Sequence, residues 1–195
     1  MGITYEGTKI HWNYFLAIEQ DFEKLSRYIE FCDANNDTFS IELARIIMSA
    51  SQDVDVILKN ICKLLVGKEP SNIDGYRQVI KQYLPDLINE KAFISRFEMH
   101  STPFLNWNDN KNPDWWRANT DIKHHRTTNF EKANLKNAIN AVGALLIVNI
   151  YFYKLDVQLK NEDVVTDWKR LISTLGLKSS FIKLNENYYP NFVYV

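Results

Sequence analysis

Apolar residues recur three or four positions apart over two long stretches near the start of the chain, and this spacing restricts the fold more than any other feature. The first stretch predicts an amphipathic helix over residues 13–32. The second begins at Leu43, just after the N-cap candidate Ser40, and stops at Gly67. Two long helices joined by a short turn pack antiparallel, so the sequence predicts the start of a helical bundle.

The composition favours long helices over many short strands. The 195 residues include six glycines and five prolines, too few turn residues for a sandwich or barrel. With 46% hydrophobic and 24% charged residues, the chain can bury a core. We therefore expect an all-α fold, an antiparallel bundle of about five helices. A single domain is expected over residues 1–195, with the bundle over 13–153 and a C-terminal extension over 154–195.

The middle of the chain is interpreted from local start and stop signals. The pattern after Asn72 predicts a third helix that ends before Pro85. Residues 98–113 are rich in Asn, Pro, Asp and Trp, which predicts a long surface loop. A helix over residues 113–125 follows, because a proline at the first helical position is a good start signal.

The last third of the chain contains the most apolar helix of the sequence. It is predicted over residues 130–153, and its second half is apolar nearly all round. Such a helix lies either centrally in the core or against another subunit. Beyond it the pattern weakens. We expect a short helix over 167–175 and a small irregular or β-hairpin tail, formed by residues 181–184 and 192–195.

Several classes of protein are disfavoured by the absence of their motifs. The net charge of −1 argues against a globally basic surface for nucleic acid. The sequence contains no Gly-x-Gly, no Cys-x-x-Cys and no His-Glu-x-x-His, so we predict no cofactor and no metal. Cys32 and Cys62 lie on separate predicted helices, and no disulfide is expected.

A membrane location is also disfavoured. The most apolar stretch, residues 138–153, is too short to span a bilayer and is interrupted by Asn140 and Asn149. The first residues show no basic segment followed by an apolar one, as a secretory signal would. We expect a cytoplasmic protein without a membrane partner.

The segment most suited to chemistry is residues 112–130, N-P-D-W-W-R-A-N-T-D-I-K-H-H-R-T-T-N-F, which holds two of the four histidines. On a continuous helix, Arg117 and His124 are seven residues apart and return to within about 20° of the same face, with Asp121 between them. The same geometry places His125 about 80° away from Arg117. It also places a second stripe of polar residues on another face, namely Asn119, Lys123 and Arg126.

At this segment the chain resembles the HEPN family. Two long N-terminal helices are followed by an Arg, six residues and a His on a later helix, and the string W-W-R-x-N-x-x-x-K-H-x-R is similar to a branch of uncharacterised bacterial HEPN-like proteins. The resemblance covers roughly residues 13–153 and implies an α-helical bundle. It also implies a metal-independent endoribonuclease in which Arg117 and His124 are the catalytic pair. HEPN ribonucleases generally form homodimers with one composite site, so a homodimer is implied as well.

The chemistry of these residue types agrees with that implication. Histidine transfers protons near neutral pH, and arginine presents a charged fork to phosphate oxygens. Asn119 and Asp121 are supporting candidates, because Asp121 lies a turn from both Arg117 and His124. Five further residues are candidates for RNA contact through charge or base stacking: Lys123, His125, Arg126, Trp115 and Trp116.

Each assignment has a structural alternative. In that alternative, Arg117 pairs with Asp114 or Asp121 on an exposed helix, and Trp115 and Trp116 are core or interface anchors, the more frequent role of tryptophan. The expected function is an endoribonuclease of toxin or phage-defence type, acting on RNA and paired with a cognate antitoxin or other protein. The alternative is a non-catalytic HEPN-like module that binds RNA, a nucleotide or a partner protein. Ala118 fits that alternative, because the family usually places a polar residue directly after the arginine.

Overall fold

Two 26-residue helices, α2 (Ile41–Val66) and α6 (Leu135–Lys160), form the most extensive contact of the fold. This computed structural model describes residues 8–160, 168–175, 179 and 181–189. Within those residues, five further helices pack around or beside the central pair: α1 (Ile10–Leu25), α3 (Ile73–Tyr83), α4 (Asp114–His124), α5 (Arg126–Asn129) and α7 (Trp168–Leu175). The predicted all-α bundle is confirmed.

Helix α2 begins and ends where its sequence signals predict. The Ser40 side chain accepts a hydrogen bond from the Leu43 amide at 3.1 Å, which satisfies one of the free N–H groups of the first turn. At the other end, Gly67 adopts a φ of 72°, a left-handed conformation that favours glycine, and its N–H bonds the Lys63 carbonyl. Helix α3 is capped in the same way by Asn72, whose side chain accepts from the Gly75 amide at 3.0 Å.

Helix α1 ends seven residues earlier than the predicted boundary at residue 32. The Ser26 hydroxyl donates to the Glu23 carbonyl at 2.8 Å, and the chain leaves the helix through turns. Phe31 is nonetheless buried, stacked against Phe22 with ring centroids 5.0 Å apart. The apolar spacing therefore continues into a buried loop, which is why periodicity alone overestimated the helix.

Helix α6 begins five residues later than predicted and continues to Lys160 instead of ending at residue 153. All residues over 141–151 are buried within the described chain, so the apolar second half lies centrally in the core. The sequence left open whether this half lies centrally in the core or against another subunit. Because the described structure buries it within one protomer, a second subunit is not needed to cover it. Among the described helices, α6 alone has the length and apolarity to cross a membrane, and 78% of its most apolar window is buried.

The prediction of a long surface loop over residues 98–113 is wrong. The chain there forms strand β2 (Met99–Ser101), which pairs antiparallel with β1 (Ala92–Ile94). It then forms a single 3-10 turn in which Phe104 and Trp107 are fully buried with ring centroids 4.7 Å apart. Polar residues at both ends made the segment resemble a loop, whereas two aromatic rings place its centre in the core.

The C-terminal segment, which we define as residue 179 and residues 181–189, packs on the bundle. Lys183 pairs with Phe93 through two backbone hydrogen bonds, of 2.7 and 2.9 Å. Phe181, Ile182 and Leu184 are buried, and all three belong to the core that the helices share. Residues 192–195, the predicted partner strand of residues 181–184, lie outside the described residues.

Candidate functional site

All the candidate residues except His125 and Arg126 lie on α4, which is fixed to the bundle by one apolar face. Pro113 has a φ of −58°, suited to a helix start, and Asp114 lies in the first turn. Trp115, Ala118 and Ile122 are buried, and their spacing of three and four places them on one side of the helix. The opposite side is therefore directed to solvent.

Arg117 and His124 lie on that outer side and are both exposed. They are seven residues apart on one unbroken helix, which separates their Cα atoms by about 10 Å along the axis. In the part of the chain that the structure describes, neither side chain forms a hydrogen bond or an ion pair. The predicted pair is thus present on one face, but nothing described orients either member.

Asp121 lies between Arg117 and His124 and is partly buried. Its Oδ2 pairs with the Nζ of Lys132 at 2.6 Å. The hydrogen bond to Lys132 lowers the pKa of Asp121 below its usual range, with smaller contributions from the charges of His125 and Arg117. The carboxylate is therefore held by Lys132 and does not orient Arg117 or His124, the role that its spacing suggested.

Helix α4 ends at His124, and this break changes the second predicted stripe. His125 has φ −137° and ψ 41°, outside the helical region, and α5 begins at Arg126. Arg126 consequently does not share a stripe with Asn119 and Lys123, as a continuous helix would require. Its Nη2 lies 3.5 Å from the Sδ of Met48 on α2.

Trp115 and Trp116 have different environments. Trp115 is 2% exposed, and its indole N–H donates to the Pro103 carbonyl at 2.8 Å. Its ring is therefore a core anchor and is not accessible to a nucleobase. Trp116 is partly exposed and packs edge-on against Trp115 with ring centroids 5.6 Å apart. Of the two, only Trp116 presents surface on which a base can stack.

Four consecutive exposed residues, Lys123, His124, His125 and Arg126, form what we call the basic edge. The rings of His124 and His125 have centroids 6.5 Å apart. An apolar groove of about 660 Å³ adjoins this edge, with Met48 of α2 and Phe130 in its walls and Arg126 at its rim. The apolar periodicity did not predict this groove. One signal of it is Ile41, an apolar residue of the lining that is exposed at the start of α2.

The described residues offer little for metal or redox chemistry. They include no group of three or more His, Cys, Asp or Glu side chains placed to hold a metal ion. Cys32 and Cys62 are both free thiols. Burial raises the pKa of the Cys62 thiol to about 11, so it stays protonated at neutral pH.

Comparisons with known proteins identify no relative: no family model, no curated protein and no solved structure matches this chain.

Proposed function

We propose that this chain is a HEPN-like, metal-independent endoribonuclease of toxin or phage-defence type that acts as a cytoplasmic homodimer. The observation that carries the proposal is that Arg117 and His124 are exposed on one face of α4. The basic edge extends from the end of the same helix. An Arg and a His beside further positive charge suit a polyanionic substrate whose cleavage needs proton transfer.

Cleavage of RNA without a metal requires three actions. A base removes the proton of the 2′-OH, an acid protonates the leaving 5′ oxygen, and a cation stabilises the charge of the phosphorane. His124 is suited to proton transfer and Arg117 to the phosphate oxygens. His124 is the proton-transfer group that the exposed face of α4 provides. The HEPN resemblance implies a homodimer with one composite site, and in that homodimer a second copy supplies the second proton-transfer group.

The surrounding residues have supporting roles in this proposal. Lys123, His125 and Arg126 contact the phosphate backbone, because all three are exposed at the end of α4. Trp116 stacks on an unpaired base. Asn119 is partly exposed on α4 and lies on a different face from Arg117 and His124, so its supporting role is beside Lys123, four residues further along. Lys132 holds Asp121, which keeps that carboxylate from pairing with Arg117 and thereby leaves the guanidinium open to phosphate.

The test is cleavage of mixed single-stranded and structured RNA in EDTA by the wild type and by Arg117→Ala and His124→Ala. We expect products with cyclic phosphate ends from the wild type and a loss of about 100-fold or more in each variant. His100→Ala is the matched control, because His100 is an exposed histidine on β2. Equal cleavage by the wild type and His124→Ala, or no cleavage by either, contradicts the proposal.

A second candidate is a non-catalytic HEPN-like module that binds RNA, a nucleotide or a partner protein such as an antitoxin. The observation that favours it is the lack of a described contact orienting Arg117 or His124, because catalytic side chains are usually held in place by their neighbours. This candidate predicts RNA binding that is lost on Lys123→Ala and Arg126→Ala, in a protein that cleaves nothing. Gel-shift titration beside the EDTA assay separates the two candidates.

A further inference from the structure

A second pocket lies away from α4, where α6 and the chain after α3 meet α7 and the C-terminal segment. Its volume is about 290 Å³, and it has no part in the proposed ribonuclease. Its lining combines aromatic rings with charged side chains and includes Asp86, Glu90, Tyr151, Lys154, Trp168 and Tyr188.

The first feature of this pocket is a carboxylate held by two phenols. The hydroxyl of Tyr151 donates to Oε1 of Glu90 at 3.0 Å, and the hydroxyl of Tyr188 donates to the same oxygen. Burial and the nearby charge of Glu90 raise the pKa of both tyrosines, so both remain neutral donors. The second oxygen of Glu90 forms no hydrogen bond with any described residue. Glu90 is therefore oriented, yet it has one oxygen left to accept.

The second feature is an aromatic wall that already contacts an ammonium group. The ring centroid of Trp168 lies 5.1 Å from that of Tyr151 and 4.9 Å from that of Tyr188. The Nζ of Lys154 lies 3.5 Å from the Trp168 centroid. Tryptophan is the aromatic residue that attracts cations most strongly, so Lys154 shows which chemistry this ring face accepts.

The charges of the lining select the sign of a ligand. Among the described lining residues, Asp86 and Glu90 are acidic and Lys154 is basic, so acidic side chains exceed basic ones by one. An anion would meet two carboxylates, whereas a cation that displaces the Lys154 ammonium would meet an oriented carboxylate oxygen and ring faces. The apolar bodies of the rings further favour a cation that carries methyl or methylene groups.

We propose that this pocket binds a small alkylammonium cation, which rests on the Trp168 face with Glu90 as its counter-ion. Lys154 is an internal competitor, because its ammonium occupies the same ring face until the ligand displaces it. The alternative is that the cluster only fastens α7 and the C-terminal segment to α6. The two hypotheses predict different effects of removing the Lys154 charge. If the pocket binds a ligand, the removal frees the Trp168 ring for that ligand, and if the cluster is only structural, the removal weakens the packing.

Choline is the probe for the test, because it is a quaternary alkylammonium of suitable size. Binding is measured by saturation transfer from the protein to the choline N-methyl protons and by calorimetric titration. We expect saturable binding to the wild type, affinity about two- to fivefold higher in Lys154→Met, and affinity lower by a similar factor in Glu90→Gln. Lys160→Met, also on α6 but outside the pocket, is the matched control and leaves the affinity unchanged. Acetate is the anionic control and does not bind.

The remaining outcomes overturn the proposal. These are no saturable binding to either the wild type or Lys154→Met, equal or weaker binding in Lys154→Met, and unchanged binding in Glu90→Gln. Thermal unfolding of each variant confirms that it is folded before binding is compared. His124→Ala binds choline as the wild type does, so the result is independent of the ribonuclease assay.

Discussion

Replacing Glu19 by Gln is expected to release the C-terminal segment from the bundle while the helices stay folded. Glu19 lies on α1 and is 2% exposed. Its Oε1 accepts hydrogen bonds from the Phe181 amide at 3.0 Å and the Ile182 amide at 2.9 Å. The Ser179 Oγ also lies 3.0 Å from this oxygen, but its single proton has a shorter bond available to the Ile182 carbonyl at 2.6 Å. One buried carboxylate thus holds the start of the C-terminal segment against the bundle, although that segment is about 160 residues away in sequence.

The magnitude follows from the charge of the acceptor. A hydrogen bond to a charged group contributes about 1.5–3 kcal/mol, and one to a neutral group about 0.5–1.5 kcal/mol. If the amide of Gln keeps both backbone bonds at position 19, the loss is about 1 kcal/mol per bond, or about 2 kcal/mol in total. That corresponds to a rise of about 30-fold in the equilibrium for local opening of the segment. Glu19→Ala has a larger effect, because two buried amides lose their acceptor.

Hydrogen exchange followed by mass spectrometry measures this opening peptide by peptide. In Glu19→Gln, peptides that cover residues 181–189 should exchange about 30-fold faster, while peptides from α2 keep their protection. Glu23→Gln is the matched control. Glu23 lies one turn along α1, and its Oε1 pairs with the Nη1 of Arg96 at 3.8 Å on the surface. Unchanged protection of residues 181–189 in Glu19→Gln, or equal acceleration in the control, would refute the reasoning.

Two other perturbations have a direction set by burial. In Gly143→Ala, the new Cβ would lie 2.8 Å from the Ser101 Oγ and 3.0 Å from the Ala92 Cβ. We expect the strain to cost about 1–3 kcal/mol, which outweighs the gain of about 1 kcal/mol in helix propensity from Gly to Ala. A rise in the urea midpoint of unfolding would contradict this expectation. Burial raises the pKa of Tyr76 and Tyr151, so above pH 10 the unfolded chain loses these protons before the folded one. Stability should fall by about 1.4 kcal/mol per pH unit for each, and Tyr151→Phe should flatten the slope by that amount in urea titrations from pH 9 to 11.5.

The elements that sequence reasoning located well are those whose boundaries depend on neighbouring residues. Ser40 and Gly67 delimit α2 by local hydrogen bonds and a local φ angle, which a residue type can report. The antiparallel pair of β1 and β2, by contrast, depends on α6, because both strands pack on that helix at Gly143. A long-range contact of this kind leaves no periodicity in the strand itself.

The candidate site shows the same difference between local features and long-range contacts. The 3.6-residue period predicted that Arg117 and His124 share a face, and α4 is continuous between them. The ion pair of Asp121 and Lys132 was not predictable from helical spacing, because α4 ends before His125, which lies between the two residues. No Gly or Pro marks the end of α4, so the helical period placed Arg126 on one stripe with Asn119 and Lys123.

The burial of α6 changes the reason for expecting a dimer. The sequence allowed its apolar half to be covered either by the protomer or by a second copy, and the described structure covers it within the protomer. The proposed homodimer therefore depends on the HEPN resemblance and on the chemistry, because cleavage needs two proton-transfer groups and the outer face of α4 offers His124. A second copy that supplies the missing group has to approach that same face. The interface required by the proposed function thus lies beside α4 and its basic edge, and not along α6.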